Sequence, residues 1–230
     1  MSDPGDDDRG HVTPGSAPWR LDLAGATVHK LSVSEMDNNV YLLTCTATGE
    51  RLLVDAADDA DRILDLLRST SADGSTTLGQ LVTTHQHWDH HRALPEVVAA
   101  TGATTLAGAD DADALPVPAD RRLEDGDTVR VGDLVLDVVG LRGHTPGSVA
   151  LALTAGGDVP RTVLFTGDSL FPGGPGRTRA PEDFTSLMDD LEARVFGVYD
   201  DTALVLPGHG DNTVLGRERP QLGSWRARGW

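Results

Sequence analysis

The chain has 230 residues, a net charge of −17 and an isoelectric point near 4.6, and 39% of its residues are hydrophobic. This length and composition suit one domain with a sizeable core, whereas the negative charge argues against binding to nucleic acid or to an anionic membrane surface. The sequence has no run of about 18 apolar residues, no apolar signal core after Met1, and a single cysteine, Cys45, that cannot form an internal disulfide, so we expect a cytoplasmic protein.

Strand-like and helix-like segments alternate along the first half of the chain. Residues 1–18 are rich in Asp, Gly, Pro and Ser and predict a disordered tail, so residues 19–230 are expected to form the domain. The predicted strands of this half are residues 27–33, 40–45, 51–54, 81–82 and 104–107. Helices are predicted at residues 58–68, with Asp58 or Asp59 as the N-cap, and at residues 92–100.

The second half opens with an acidic, proline-containing connector at residues 110–127. Predicted strands follow at residues 128–131, 134–139, 148–154, 162–165 and 203–206, with Gly132-Asp133 and Gly156-Gly157-Asp158 as turns. Helices are predicted at residues 182–194 and 217–228. Strands outnumber helices and helices occur in both halves, which predicts the α/β (α+β) class: an αββα sandwich of two mixed β-sheets with outer helices.

Three histidines and an aspartate fall within six residues directly after the apolar run at residues 81–83: His85, His87, Asp89 and His90. Neutral imidazole and carboxylate are ligands that a borderline divalent ion such as zinc accepts. His85 and His87 stand two residues apart and can reach one ion from an extended loop. Asp89 and His90 follow the start of a helical turn and point to a neighbouring position. The spacing therefore predicts two adjacent metal ions, against the alternative of a solvated polar loop.

Three further candidate ligands, His144, Asp168 and His209, share one sequence context. Each follows the end of an apolar, strand-like run and stands beside glycines that allow a sharp turn. One such residue alone would be read as an ordinary loop residue. Together with the segment at His85, four segments follow the end of an apolar run. This repetition predicts that one edge of a sheet brings these side chains to a single point.

These motifs resemble the metallo-β-lactamase superfamily, and within it the short, single-domain glyoxalase II-like (hydroxyacylglutathione hydrolase-like) branch. The resemblance extends from about Val28 to the C-terminus and rests on H-x-H-x-D-H at residues 85–90, GHTPGS at 143–148, TGDSLF at 166–171 and PGHG at 207–210. It implies the metallo-β-lactamase fold. It also implies that a first metal is bound by His85, His87 and His144, that a second is bound by Asp89, His90 and His209, and that Asp168 bridges both.

The chemistry implied by this resemblance is hydrolysis of a small molecule by a binuclear metal site. The expected cofactors are two divalent ions, with Zn²⁺ expected and Fe or Mn as alternatives. Metal binding lowers the pKa of water from about 15.7 towards 7, so a metal-bridging hydroxide would cleave a thioester or related ester of a small-molecule thiol. Asp89 and Asp168 are the expected catalytic carboxylates, which also offset the charge of the ions. A monomer and a homodimer are both compatible with the sequence.

Differences between this sequence and other branches of the superfamily limit which activities the resemblance implies. Secreted lactamases of this fold carry Cys at the position of Asp168, and flavodiiron relatives carry Glu at the position of His87. Long glyoxalase II enzymes add a C-terminal helical domain that holds glutathione, whereas this chain has 21 residues after His209, so the thiol specificity does not carry over. The alternatives are a mononuclear iron oxygenase resembling the persulfide dioxygenases, a lactonase or other ester hydrolase, and a nuclease or non-enzymatic role.

Several residues outside the ligand set are candidates for supporting roles. In the family the Asp that matches Asp55 supports the metal ligands, although a turn or cap residue is an equal alternative. Trp88 is expected at the cleft mouth or in packing. Arg142 and Arg177 are candidates for binding a substrate carboxylate, and His91 is expected on a helix surface.

The ratio of arginine to lysine bears on the identity of the thiol that carries the acyl group of the substrate. The chain has 19 Lys and Arg residues, of which only Lys30 is lysine, a bias typical of GC-rich genomes. The C-terminal segment at residues 220–229 resembles actinobacterial members of the superfamily. Acyl-mycothiol is therefore a candidate substrate beside acyl-glutathione.

Overall fold

Two β-sheets packed face to face form the centre of the computed structural model, which describes residues 9–156 and 161–229. The first sheet is antiparallel from its first to its fourth strand and parallel from the fourth to the seventh. Its strands are adjacent in sequence order: β1 (Trp19–Leu23), β2 (Ala26–Val33), β3 (Asn38–Cys45), β4 (Arg51–Val54), β5 (Gln80–Thr83), β6 (Thr104–Gly108) and β7 (Arg121–Leu123).

The second sheet has six strands: β8 (Thr128–Val131), β9 (Leu134–Gly140), β10 (Val149–Ala155), β11 (Arg161–Gly167), β14 (Leu204–Pro207) and β15 (Thr213–Val214). A separate two-stranded pair lies between β11 and β14 in the sequence: β12 (Leu170–Phe171) and β13 (Gly174–Pro175). The order across the second sheet is β15-β14-β11-β10-β9-β8, and only β11 and β14 pair in parallel. The inner faces of the two sheets share one apolar cluster that includes Tyr41, Val82, Leu151 and Phe165.

Helices cover the outer faces of both sheets. The first sheet carries α1 (Ala60–Thr70) and α2 (Leu94–Thr101), and the second carries α3 (Pro181–Asp190), continued by a π-helical segment Leu191–Phe196, α4 (Leu215–Glu218) and α5 (Leu222–Arg228). Helix α1 buries Ile63, Leu64 and Leu67 on one face, and the Asp59 side chain accepts a hydrogen bond from Arg62 N at 3.3 Å as its N-cap. The predicted αββα sandwich of two mixed sheets is therefore confirmed.

Five strands (β1, β7, β12, β13 and β15) and one helix interruption were not predicted. Strands β1 and β7, the second of which lies inside the predicted connector, are edge strands with one partner each. Strands β12, β13 and β15 have only two residues each, too few to show an alternating pattern. The predicted closing helix is split into α4 and α5 by a 3-10 turn at Arg219–Gln221, where Pro220 lacks the N–H that a continuous helix needs.

The N-terminal segment and the β10–β11 connection lie partly outside the described residues. Residues 1–8 of the predicted tail and residues 157–158 of the predicted turn are among those not described. Within the described part of the predicted tail, Gly10 and Val12 are buried. Arg9 O accepts a hydrogen bond from Asn212 N at 2.7 Å. This part of the predicted tail is therefore packed against the domain.

The topology sends one end of several strands to the same edge of the sandwich. Strands β4, β5 and β6 are parallel neighbours, and so are β11 and β14. The carboxyl ends of parallel strands meet at one edge, which is where such sheets place their sites. In the described part of the chain, none of the helices is both long and apolar enough to cross a membrane.

Candidate metal centre

All seven predicted ligand residues converge at this edge of the sandwich. They form three overlapping groups, and within each group the ligand atoms lie within 4.8 Å of one another. The groups are His85, His87 and His144; His85, His90 and Asp168; and Asp89, His90 and His209. The first and third groups match the two predicted metal sets.

Asp168 stands between the two sets. One carboxylate oxygen, Oδ2, lies 3.5 Å from His144 Nε2 and 3.5 Å from His209 Nε2. The other, Oδ1, lies 3.4 Å from His90 Nε2. A single carboxylate therefore faces histidines of both sets, as a bridging ligand requires.

Asp55 and Thr84 orient two of the histidines. His90 Nδ1 donates to Asp55 Oδ2 at 2.9 Å, so its Nε2 faces the cluster. Thr84 Oγ1 donates to the same Asp55 oxygen at 2.8 Å, which leaves the hydroxyl oxygen to accept from His85 Nδ1 at 3.1 Å. Asp55 thus holds the tautomers of both histidines, directly for one and through Thr84 for the other.

Backbone carbonyls orient two further histidines. His144 Nδ1 donates to Arg177 O at 2.6 Å, and His209 Nδ1 donates to Met36 O at 2.8 Å. A carbonyl oxygen only accepts, so each ring carries a proton on Nδ1, and in its neutral form it presents the lone pair of Nε2 to the cluster. Four of the five clustered histidines are therefore held in the tautomer that a metal ion needs.

The protonation states of the cluster reflect burial and close charges. Burial and the neighbouring His90 lower the pKa of His85 well below its usual value. Burial also opposes protonation of His90 and His209, but the carboxylates of the cluster outweigh it and raise the pKa of these groups to about 10 and about 9. The contacts to His209 and His90 overcome the effect of burial on Asp168, so its pKa lies well below the ordinary range. The site is therefore built to hold positive charge next to two carboxylates.

The donor atoms fit a divalent metal. His144 Nε2 and Asp168 Oδ1 are buried and have no hydrogen-bond partner among the described residues. A buried polar atom without a partner costs free energy, and a cation at this point would supply the missing partner for both. Nitrogen and carboxylate oxygen are the ligand set of zinc and of iron. The geometry of these donor atoms thus fits a divalent ion.

Two supporting residues were missed in the sequence. Asp111 is fully buried and accepts hydrogen bonds from Gln86 N at 2.9 Å, Thr145 Oγ1 at 2.5 Å and Gly147 N at 2.8 Å. It therefore joins the loop of His85 and His87 to the loop of His144. Asn38 Nδ2 donates to Asp89 Oδ2 at 3.0 Å and orients that carboxylate. Neither residue stands in a motif, so only the fold reveals them.

The structure changes the interpretation of His91 and Arg142, and it separates the two alternatives for Trp88. His91, predicted on a helix surface, is buried, and its Nε2 donates to Gln86 O at 3.1 Å. Arg142 forms two side-chain hydrogen bonds with Asp190, at 3.0 and 2.9 Å. That paired guanidinium argues against Arg142 as the clamp for a substrate carboxylate. Trp88 is 59% exposed, so it does not pack in the core.

Two other arginines lie closer to the candidate ligands. Arg177 is exposed and lines a cavity together with His87 and His144. Arg179 lines the same cavity, and its Nη2 lies 3.4 Å from His87 Nε2. Arg179 was not singled out in the sequence because nothing in its local pattern marks it.

The only lysine of the chain lies beneath the His209 loop. Lys30 on β2 is fully buried, and its ammonium donates to Gly10 O at 3.0 Å, Gly210 O at 2.6 Å and Asn212 Oδ1 at 2.8 Å. It therefore ties the N-terminal segment to the residues that follow His209. Burial, partly opposed by the charge of Asp211, lowers the pKa of Lys30 to about 8.

Lys30 is expected to make the stability of the protein rise with pH above about 8. The folded state binds fewer protons at Lys30 than the unfolded state between the folded pKa of about 8 and the ordinary value of 10.5, so the free energy of unfolding increases across that window. The size of the effect is of order 3 kcal/mol. Denaturant titrations of wild type and Lys30→Met from pH 7 to 10.5 measure it as a difference between the two proteins. Parallel pH profiles would contradict the prediction.

The sequence matches the family model of the metallo-β-lactamase superfamily over residues 33–209. Among curated relatives, a hydroxyacylglutathione hydrolase of Jannaschia sp. (strain CCS1) is 36% identical over 172 residues, which are 75% of this chain and 59% of that protein. A protein of the same name from Fuscovulum blasticum is 39% identical over 61% of this chain and 51% of its own length. The chain thus spans about half to three fifths of the length of these relatives.

Solved structures give the same result for the fold. The crystal structure of ETHE1 from Myxococcus xanthus is 30% identical with a TM-score of 0.72, covering 86% of this chain and 84% of that one. TTHA1623, solved in a di-iron-bound form, is 26% identical with a TM-score of 0.65 and covers 83% of this chain and 96% of that one. A metallo-β-lactamase from Staphylococcus aureus, at 23% identity and a TM-score of 0.72 over 85% of this chain and 63% of that one, shares the fold.

Proposed function

The chain belongs to the metallo-β-lactamase superfamily, and we propose that it is a cytoplasmic binuclear metallohydrolase that cleaves a thioester or related ester of a small-molecule thiol. The observation that carries this proposal is the convergence of seven ligand residues on one edge, with Asp168 between the two sets. The relatives named hydroxyacylglutathione hydrolase support the substrate class. The proposal does not extend to the particular thiol and acyl group in the names of those relatives.

In this proposal the two sets hold two divalent ions, with zinc expected. His85, His87 and His144 would hold the first, Asp89, His90 and His209 would hold the second, and Asp168 would be shared between them. Bound there, the ions would lower the pKa of a water towards about 7 and stabilise negative charge on the substrate carbonyl.

The protein's own residues hold this arrangement rigid. Asp55 and the carbonyls of Arg177 and Met36 keep the histidine rings turned towards the centre. The negative charges of Asp89 and Asp168 offset part of the charge of two cations. The net reaction consumes one water: a C–O bond forms at the acyl carbon, the C–S bond breaks, and the sulfur leaves with the bonding electrons. The products are a carboxylate, a thiol and a proton.

The direct test is to load the purified protein with Zn²⁺, Fe²⁺ or Mn²⁺, measure metal per chain, and assay acyl-glutathione, acyl-mycothiol, a lactone and a β-lactam. We expect two metal ions per chain and thiol release from a thioester. A folded protein that carries two ions but turns over none of the thioesters or esters would refute the proposal.

A mononuclear iron oxygenase resembling the persulfide dioxygenases is the second candidate. It is favoured by one observation: His85, His90 and Asp168 form a two-histidine, one-carboxylate group, the set that non-haem iron oxygenases use. The relative solved in a di-iron-bound form gives a further reason to test iron on this fold. One iron per chain with oxygen uptake, and no thioester cleavage, would favour this candidate over hydrolysis.

A further inference from the structure

We propose that Arg9, Gly10 and Lys30 position His209, and that they thereby determine how tightly the second ligand set holds its metal ion. We call these three residues the N-terminal clasp. The inference rests on the proposed two-metal function, because it assigns the clasp a role towards one of the two sets. All three residues lie before residues 33–209, the segment that matches the family model.

His209 lies in a short loop, residues 208–212, between β14 and β15. On the β14 side the backbone fixes this loop, since Gly208 N donates to Gly167 O at 2.8 Å. Directly after His209 the chain reverses at Gly210, which has a φ of +63°. The orientation of the His209 ring therefore also depends on the contacts of the residues that follow it.

Lys30 binds the residues that follow His209. Its ammonium has three N–H donors, and two of them go to this loop: to Gly210 O at 2.6 Å and to Asn212 Oδ1 at 2.8 Å. Gly210 O has a second donor, Asn39 Nδ2 at 3.0 Å, but this donor is neutral. Because a hydrogen bond from a charged donor is stronger than one from a neutral donor, Lys30 is the stronger of the two contacts that fix this carbonyl.

The N-terminal segment supplies the other half of the clasp. The third Lys30 donor goes to Gly10 O at 3.0 Å, and Arg9 O accepts from Asn212 N at 2.7 Å. Gly10 has a φ of +50°, and a Cβ at this position would overlap the side-chain amide of Asn212. The Gly10 backbone thus packs directly against the loop, and Lys30, which contacts both segments, is fully buried.

The loop that the clasp contacts carries a ligand of the second set. His209 Nε2 lies 3.3 Å from Asp89 Oδ2 and 3.2 Å from His90 Nε2, the other two members of that set. Two histidines of the first set are oriented from other parts of the chain, by Thr84 Oγ1 and by Arg177 O. Loosening the clasp should therefore weaken the second set and leave the affinity of the first set unchanged.

A purely structural role for the clasp predicts a different result. Loss of buried hydrogen bonds would lower the free energy of unfolding, but the affinity for both ions would stay the same if His209 kept its place. A positioning role predicts that affinity is lost for one ion of the two. It also predicts that the His209 loop becomes mobile in the metal-free protein.

The test uses Gly10→Ala, which adds a methyl group against Asn212, and Lys30→Met, which removes the charged donor. Gly15→Ala is the matched control: Gly15 also has a positive φ, +84°, but its Cβ would meet Arg62 Nη1 at an ordinary 3.8 Å. Titration of the metal-free proteins with Zn²⁺ against a chromophoric chelator should give two ions per chain for the wild type. In both clasp variants the affinity for one ion should fall about tenfold or more, and the affinity for the other should be unchanged.

Hydrogen exchange of the metal-free proteins gives a second readout, which needs neither bound metal nor activity. In both clasp variants the backbone amides of residues 208–214 should exchange about tenfold faster or more, while those of residues 83–90 keep wild-type rates. Gly15→Ala should match the wild type in both measurements. If Lys30→Met does not fold, Gly10→Ala decides alone.

Unchanged exchange in the His209 loop, or an equal loss of affinity for both ions, would overturn the inference. Faster exchange with both zinc affinities intact would also overturn it, because the loop would then not control the second set. If the wild type binds fewer than two zinc ions, the two-metal function fails and hydrogen exchange decides. Faster exchange confined to the His209 loop would then support the positioning of His209 by the clasp, and unchanged exchange would overturn it.

Discussion

Asp168→Asn is expected to abolish thioester hydrolysis and to lower the amount of bound metal. Among the described residues, Asp168 is the one carboxylate whose oxygens face histidines of both sets, at 3.4 and 3.5 Å. Asparagine keeps the size of the side chain but removes the charge that would hold two cations together in the proposed site. A bridging metal site contributes several kcal/mol to transition-state stabilisation, so kcat should fall by at least about 10³-fold. Steady-state kinetics and metal analysis of the purified variant measure both effects.

Asp65→Asn is the control for loss of one negative charge. Asp65 is exposed on helix α1 and pairs only with Arg68 among the described residues, so this variant should keep wild-type activity and metal content. Full activity of Asp168→Asn with two metals per chain would show that Asp168 does not bridge them. A variant that loses activity but keeps both metals would indicate a role in catalysis without a role in binding.

The arrangement of the candidate ligands could be anticipated from the sequence because it depends on local signals. His85, His144, Asp168 and His209 each follow an apolar run, and the last three also stand beside a glycine, so a strand end and, for these three, a turn are specified within a few residues. Parallel strands then bring these ends to one edge regardless of the details of packing. The two-sheet architecture follows from the same short-range alternation of strands and helices.

The supporting contacts could not be anticipated because they join residues far apart in the sequence. Lys30 contacts Gly210 and Asn212 across 180 and 182 positions, and no periodicity marks that pairing. Arg142 stands next to the His144 motif and was therefore a natural candidate for substrate binding. Its partner, Asp190, lies 48 positions away. Its position in the sequence correctly placed Arg142 near the candidate ligands. The sequence could not show that Asp190 binds its guanidinium, because the two residues meet only in the folded chain.

The glycine before His209 shows how closely the two sheets approach at the site. Gly208 N donates to Gly167 O at 2.8 Å, and Gly208 O accepts from Asn39 N at 2.8 Å, so its backbone is fixed on both sides. A Cβ at this position would overlap Asp168 Oδ1 and would lie 2.6 Å from His90 Cε1. Carbon atoms in proteins do not approach so closely, so two candidate ligands would have to move.

Gly208→Ala is therefore expected to disable the metal site while leaving the fold in place. The added methyl displaces Asp168 and His90, and a ligand shift of about 1 Å is enough to cost roughly 10²-fold in rate. The variant should retain the circular dichroism spectrum of the wild type but bind less metal and lose at least that much kcat. Gly223→Ala adds the same methyl in helix α5, where nothing lies within 4 Å, and should match wild type in all three measurements. If Gly208→Ala also matched wild type, the close approach of β14 to Asp168 would not constrain the metal site, and the geometry argued for the bridging carboxylate would be wrong.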